Sequence, residues 1–358
     1  MRQLFLLLLL LLTVLSQAMK PEDGKTPGFS LKPHYGFIII HSKDIVAVKE
    51  SYPKGLMLEV FKYNTGNDIY SQCACSARTG LSLAYWDYDN PDILGRGIDL
   101  SVFLEPVFQI NKNTSFSFKG AAGVSYLNKP YDPLTNPNNL SYSTRFSFNL
   151  ATGVHLNIAL SSQIQLQMAG NYNHISNGGI KEPNKGINYP TASLGVLYFT
   201  QKPGTRQQVR AIPEENIERS DRLSIHVSGT NKQVELKRYY PIAGIALQYM
   251  KTVSRLNAAG IEFDWVWHGA NDHIARRSGI NGNAVSFGVG AGNEFILGKF
   301  LFQQYFGVYL KKSIVETRDI YQRYGLSYKA GKHFRPGVGL RAHGHVADFL
   351  DLRVGWNF

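Results

Sequence analysis

His174 and Ser176 stand two residues apart and are followed at once by Asn177, Gly178 and Gly179. A serine hydroxyl is a poor nucleophile at neutral pH until a base takes its proton, and histidine is the usual base because its pKa lies near ambient pH. On a β-strand, positions i and i+2 put both Cβ atoms on one face, so the two side chains lean together. A tetrahedral oxyanion also needs preorganised donors, and the Asn177 amide and the flexible Gly178-Gly179 backbone lie beside the nucleophile. These are the ingredients of ester hydrolysis by a Ser/His mechanism. A bare HxS spacing is common in sequences, so its weight comes from the element that carries it.

That element is an alternating strand. Its even positions are Ile164, Leu166, Met168, Gly170, Tyr172, His174 and Ser176, and its odd positions are Gln163, Gln165, Gln167, Ala169, Asn171 and Asn173. One face is apolar and the other almost all amide. A soluble enzyme keeps a His/Ser pair in a polar cleft, whereas this strand sets it on the face that meets lipid if the sheet is a membrane barrel. The pattern therefore points to a lipid substrate.

The ends of the chain fit an envelope protein. Residues 1–18 read as a secretory signal peptide, with Arg2 as the charged start, an apolar run over 4–12 and Ser16-Gln17-Ala18 as the cleavage site, so the mature chain is expected to begin near Met19. No later stretch approaches the roughly 18 uninterrupted apolar residues of a spanning helix, but an exported chain also spans as a closed barrel of alternating strands. At the C-terminus Leu350, Leu352, Val354, Trp356 and Phe358 alternate with Asp351, Arg353, Gly355 and Asn357. A last strand ending on an aromatic resembles the assembly signal of bacterial outer-membrane barrels. An edge strand of a secreted β-sandwich alternates too, yet the aromatics that flank many strands favour interface girdles. Tyr 20, Phe 20 and Gly 34 suit half-buried strands better than helices. The net charge of +12, behind a signal peptide, points to anionic lipid head groups rather than nucleic acid.

Turn residues rich in Asn, Pro, Asp and Gly divide the chain into strand-like runs, among them 55–63, 97–110, 114–127, 142–160, 163–176 and 188–200. Residues 201–222, with prolines and charges of both signs, are the one compositional break. Further runs follow near 222–229, 241–253, 258–268, 284–295, 299–311, 321–332, 337–345 and 349–358. The division expected is a half over 19–200 carrying the motif, a charged linker or loop over 201–222, and a second half over 223–358. About eight strands fall on each side, which suits one transmembrane antiparallel barrel of about 14–16 strands or, alternatively, two eight-stranded units in tandem. The single wide barrel is preferred here because tandem barrels in one chain are unusual. Residues 337–358 overlay 153–174 without a gap, pairing Gly153 with Gly337 and Leu166 with Leu350, as a distant repeat would. Cys73 and Cys75 close only a small ring and are too few for a zinc site, so no chemical task is expected of them.

The longer string from His174 carries HxSN, the small residues Gly178 and Gly179, Pro183-Asn184, Gly186-Ile187 and a following alternating strand. It resembles the lipid A 3-O-deacylase family of outer-membrane barrels, which are acyloxyacyl hydrolase-like, and the likeness is good over 153–200. The resemblance implies that His174 is the base and Ser176 the nucleophile on the outer wall of a barrel, with Asn177 and Gly179 near the oxyanion. It also implies an ester-linked acyl chain of lipopolysaccharide as substrate. The family's third member is a glutamate that orients the histidine, and Asn188 stands in its place. Asn188 shares the parity of Ala192, Leu194, Val196 and Tyr198. It can accept from the imidazole but cannot supply negative charge to an imidazolium, although an amide does fill an orienting role elsewhere. Glu182 is the nearest carboxylate that could substitute.

Other clusters are weaker. His343 and His345 with Arg341, and His268 with Asp272 and His273 in an expected loop, lack complete ligand sets, so no metal and no cofactor is expected. The whole reads as a lipid A deacylase in the outer membrane of a Gram-negative bacterium, with lipid A or lipopolysaccharide as partner and no nucleic acid. The alternative is a non-enzymatic porin or scaffold barrel that keeps a degenerate deacylase motif.

Overall fold

Alternation runs opposite to that of a soluble sheet. Along the strand Arg96–Gln109, Ile98, Leu100 and Val102 are exposed while Asp99 and Ser101 between them, and Glu105 beyond, are buried. Leu100 keeps 47% of its surface open. Such a row of aliphatic side chains is stable against lipid and not against water, and the polar groups turned inward must find partners there. A sheet in lipid also cannot leave an unpaired edge, so it closes.

The computed structural model describes residues 24–66, 73, 75–203, 220–235, 238–280, 284–313, 316, 318–344 and 346–358. The expected signal peptide and most of the 201–222 break lie outside the described residues. The first barrel consists of β1 (Lys25–Gly36), β2 (Lys54–Asn64), β3 (Ser76–Asp87), β4 (Arg96–Gln109), β5 (Thr114–Leu127), β6 (Phe146–Ala159), β7 (Ile164–Ser176) and β8 (Ile187–Phe199). Each strand is antiparallel to the next, and β8 closes on β1 with Phe199 opposite Gly28 and Thr191 opposite Gly36. The second barrel is β9 (Asp221–Glu235), β10 (Arg238–Ser254), β11 (Asn257–His268), β12 (Val285–Leu297), β13 (Phe300–Lys311), β14 (Ile320–Tyr328), β15 (Phe334–His343) and β16 (Val346–Asn357), closed by β16 on β9 with Leu352 opposite Gly229. The segment Gly178–Glu182 groups with the second unit.

The sixteen strands therefore form two closed barrels of eight rather than the single wide barrel preferred above. Alternation fixes which way a side chain points but not which strand edge another will meet, and here β8 meets β1 before the charged break is reached. The proposed overlay is offset as well: it lays β15 on β6, whereas β15 is the seventh strand of its own barrel. The loop expected around Asp272 and His273 contains a short helix, α1 (Gly269–Arg277). Cys73 and Cys75, expected to be without a task, are joined in a disulfide.

Eight strands enclose a space that side chains can fill, and both interiors carry buried ion pairs. In the first, Glu105 takes Arg78 at 2.8 Å and His155 at 2.7 Å, while Glu59 takes Lys32 at 2.7 Å and also Lys119. In the second, Asp264 takes Arg323 at 3.1 Å and also Arg341, and Asp351 takes Arg353 at 3.0 Å. Long loops over 37–53, 88–95, 128–145 and 177–186 lie at one end of the first barrel and short turns over 110–113 and 160–163 at the other. The loop end is sealed by an apolar cluster that includes Trp86, Tyr88, Leu94, Tyr142, Ile175 and Ile187.

Candidate active site

Ile175 on β7 and Ile187 on β8 face each other across the ladder, and both are buried in that apolar cluster. Drawing Ile175 inward sends its neighbours His174 and Ser176 outward, because the side-chain period of a strand is two. The next register pair sets His174 directly opposite Asn188. Leu150 of β6 flanks His174 on its other side, and Phe148 lies beside Ser176. The half-buried catalytic candidates thus sit on the outer wall at the loop end, among exposed Leu150 and Tyr172.

The hydrogen bonds run in one direction. His174 Nε2 lies 3.0 Å from Ser176 Oγ, and His174 Nδ1 lies 2.5 Å from Asn188 Oδ1. An amide oxygen can only accept, so Nδ1 carries the proton and the Nε2 lone pair is turned toward the serine hydroxyl. This is the tautomer a general base needs. His174 Nδ1 meets Asn188, and Glu182 groups with the second unit.

His41 completes the row and was missed by sequence reasoning. After β1 the chain continues along β8, with Phe37 N donating to Pro190 O at 3.3 Å and Ile39 N donating to Asn188 O at 2.8 Å. Tyr35 and Phe37 are exposed while Ile38 is buried, and the same parity carries His41 outward beside Asn188. Asn188 Nδ2 lies 3.1 Å from His41 Nδ1, and His41 Nε2 lies 2.8 Å from the carbonyl oxygen of Lys185. The Lys185 ammonium pairs with Asp44 at 2.9 Å, tying the 37–53 loop to the 177–186 loop. Lys185 also lowers the Asp44 carboxyl below the usual carboxylate range, by its hydrogen bond first and its charge second. The signal available in the sequence was the outward parity of His41 in a continued β1, a strand not picked out there.

Asn177 follows the serine but turns inward. It is buried, its Nδ2 donates to Ser143 Oγ at 3.2 Å, and its main-chain N–H donates to Asn184 Oδ1 at 2.9 Å. Gly178 and Gly179 adopt φ of 66° and 79°, a conformation that glycine takes without strain, and Gly179 groups with the second unit. The weaker clusters partner otherwise: Asp272 pairs with Arg276 at 3.0 Å, and His273 stacks on Tyr240. Glu316, His343 and Asp348 do bring ligand atoms together, but Asp348 is already paired with Lys232 at 2.7 Å. His345 lies outside the described residues.

Residues 59–197 match the family described as lipid A 3-O-deacylase, and residues 221–358 match the acyloxyacyl hydrolase C-terminal domain. Among solved structures, the outer membrane enzyme PagL is 14% identical with a TM-score of 0.34, the match covering 46% of this chain and 97% of that one. Neisserial surface protein A is 11% identical with a TM-score of 0.32, over 49% of this chain and 96% of its own. A Rhodopseudomonas blastica porin triple mutant is 8% identical with a TM-score of 0.20, over 93% and 100%. No curated protein sequence matches the chain.

Proposed function

We propose, on the premise that the chain is a two-barrel relative of the lipid A 3-O-deacylase family, that its first barrel hydrolyses an ester-linked acyl chain of lipid A in the outer membrane of a Gram-negative bacterium. The observation that carries this reading is the outward row of Ser176, His174 and Asn188 on a wall that is otherwise mostly apolar. Polar groups facing lipid are costly, so a row of three with matched hydrogen bonds calls for a task.

In this reading Ser176 Oγ attacks the ester carbonyl as its proton passes to His174 Nε2. The imidazolium holds its Nδ1–H on Asn188 Oδ1. The oxyanion forms beside Asn177, the residue that directly follows the nucleophile. Collapse expels the sugar alkoxide, which takes the proton from Nε2, and leaves the acyl chain on Ser176. Water, activated by the same nitrogen, then releases the fatty acid and restores the serine. Acyl chains reach the site from the bilayer, and water enters from the head-group side. A porin would need an open lumen, whereas both interiors hold buried ion pairs of Arg, Lys, Glu and Asp side chains.

The test is mass spectrometry of lipid A from cells that carry or lack the protein. Native protein is expected to remove one ester-linked acyl chain. Ser176→Ala and His174→Ala are each expected to cut this by at least about a thousandfold, with outer-membrane recovery and the heat-modifiable gel shift of a closed barrel unchanged. Unaltered lipid A with the native protein correctly assembled would leave the scaffold reading in its place.

A further inference from the structure

A carboxylate presents the same acceptor from either end, but an amide does not. Asn188 serves His174 only while its oxygen faces Nδ1. Turned over, its Nδ2 would donate to Nδ1, the imidazole proton would move to Nε2, and Nε2 could no longer accept from Ser176. One rotation of a side-chain amide would therefore invert the base. We propose that His41 is the positioning residue that prevents this, by accepting the Asn188 Nδ2–H and so holding the amide oxygen on His174. The proposal rests on the Ser/His reading above and deepens it.

The geometry carries the assignment through four groups. Ser176 O–H points to His174 Nε2 at 3.0 Å, and His174 Nδ1–H to Asn188 Oδ1 at 2.5 Å. Asn188 Nδ2–H points to His41 Nδ1 at 3.1 Å, and His41 Nε2–H to Lys185 O at 2.8 Å. The far end is a main-chain carbonyl, which can only accept. It therefore fixes the proton of His41 on Nε2 and leaves the Nδ1 lone pair for Asn188. Ile39 O, 3.2 Å from the same Nδ1, is a partner the ring takes only when doubly protonated. In a flipped Asn188, Oδ1 would face the lone pair of His41 Nδ1, an acceptor against an acceptor. A row of hydrogen bonds polarised in one sense also strengthens each member. Main-chain pairing brings His41 there, since Ile39 N donates to Asn188 O at 2.8 Å. Because β1 and β8 are the first and last strands, the row spans the seam where the barrel closes.

The experiment measures lipid A deacylation per unit of assembled full-length protein. His41→Ala is expected to lower the rate about tenfold, as loss of one orienting hydrogen bond does. His41→Asn, whose Oδ1 can stand near the place of Nδ1 and accept, is expected to recover most of it. In an Asn188→Glu background, where both ends of the orienting group accept, His41→Ala is expected to cost less than about twofold. A merely structural His41 would cost the same in both backgrounds, and that result would overturn the proposal. So would an unchanged rate for His41→Ala beside an inactive Ser176→Ala. Activity that survives Ser176→Ala would overturn the Ser/His reading, and the proposal with it. Should His41→Ala fail to assemble, His41→Phe keeps the ring volume without the acceptor and carries the same expectation.

Discussion

The two barrels carry their polar groups on opposite walls at the corresponding place. In the first, the seventh and eighth strands set His174 against Asn188 on the outer wall. In the second, β15 and β16 set Leu340 against Leu350 and Val338 against Leu352, while Arg341, His343, Asp351 and Arg353 are buried inside. His343 there meets Tyr309 OH at 2.9 Å, and no serine stands two residues further on. One architecture thus carries an outward polar row in one barrel and an apolar outer wall at the corresponding place in the other, and the difference lies in what the outward parity holds. The interiors teach the converse lesson. Both barrels bury charges in complementary clusters, so a polar interior belongs to the fold, and the outward polar row is what sets the first barrel apart.

The strongest way to break this comparison is to attack the interiors alone. Glu105→Ala would leave Arg78 and His155 buried without their carboxylate, and Asp264→Ala would do the same to Arg323 and Arg341. Removing one partner of a buried pair destabilises by about 3–5 kcal/mol. Both variants are expected to lower the temperature at which the heat-modifiable gel shift occurs, or to fail to assemble. A loss in only one of them would mean that the two interiors do not play the same part.

The faces of the strands were legible in the sequence because a period of two is local. The expected run 114–127 coincides with β5, and the outward parity of His174, Ser176 and Asn188 follows from Ile175 and Ile187 being drawn inward. Closure was not legible. Whether β8 returns to β1 or passes its edge to β9 depends on pairings between distant strands, and alternation carries no record of them. His41 was hidden for the same reason, being 147 residues from the amide it meets and placed there only by that closure. The inward turn of Asn177 toward Ser143 comes from the 128–145 loop, whose path no periodic pattern describes.

The outer wall of the first barrel can be sharpened at Asn188, where the resemblance drawn from the sequence implies a glutamate. Asn188→Glu restores a carboxylate beside the imidazole, and a charge-assisted hydrogen bond is roughly twice as strong as a neutral one. A rise in deacylation rate of about tenfold is expected, corresponding to about 1.4 kcal/mol of transition-state stabilisation. Asn188→Ala is expected to lower the rate, and Glu182→Ala to leave it unchanged, because His174 Nδ1 faces Asn188. A rate that depends on Glu182 and not on Asn188 would show that the loop rearranges around the substrate.

The smallest effect concerns exposed loop pairs, one taken from each barrel for comparison. Lys185 and Asp44 meet at 2.9 Å beside His41, and Lys312 and Asp319 meet at 2.7 Å in the loop between β13 and β14. The side chains of the first pair keep 44% and 50% of their surface open, a setting in which an ion pair is screened and contributes little. Lys185 depresses the Asp44 pKa, so whatever the pair contributes is fully present above the unfolded carboxylate value of about 3.9. It is lost only as the pH falls through the lower folded value. The strap between the 37–53 and 177–186 loops is therefore constant from about pH 5 to 8, so an acid limb of the rate profile within that range arises elsewhere. Asp44→Asn is expected to change the deacylation rate by less than about twofold and to leave that limb in place, and Asp319→Asn to change nothing measurable. An acid limb that moves in Asp44→Asn but not in Asp319→Asn would mean that the strap governs how closely His41 is held to Asn188, and that the loop pairs of the two barrels are not alike in function.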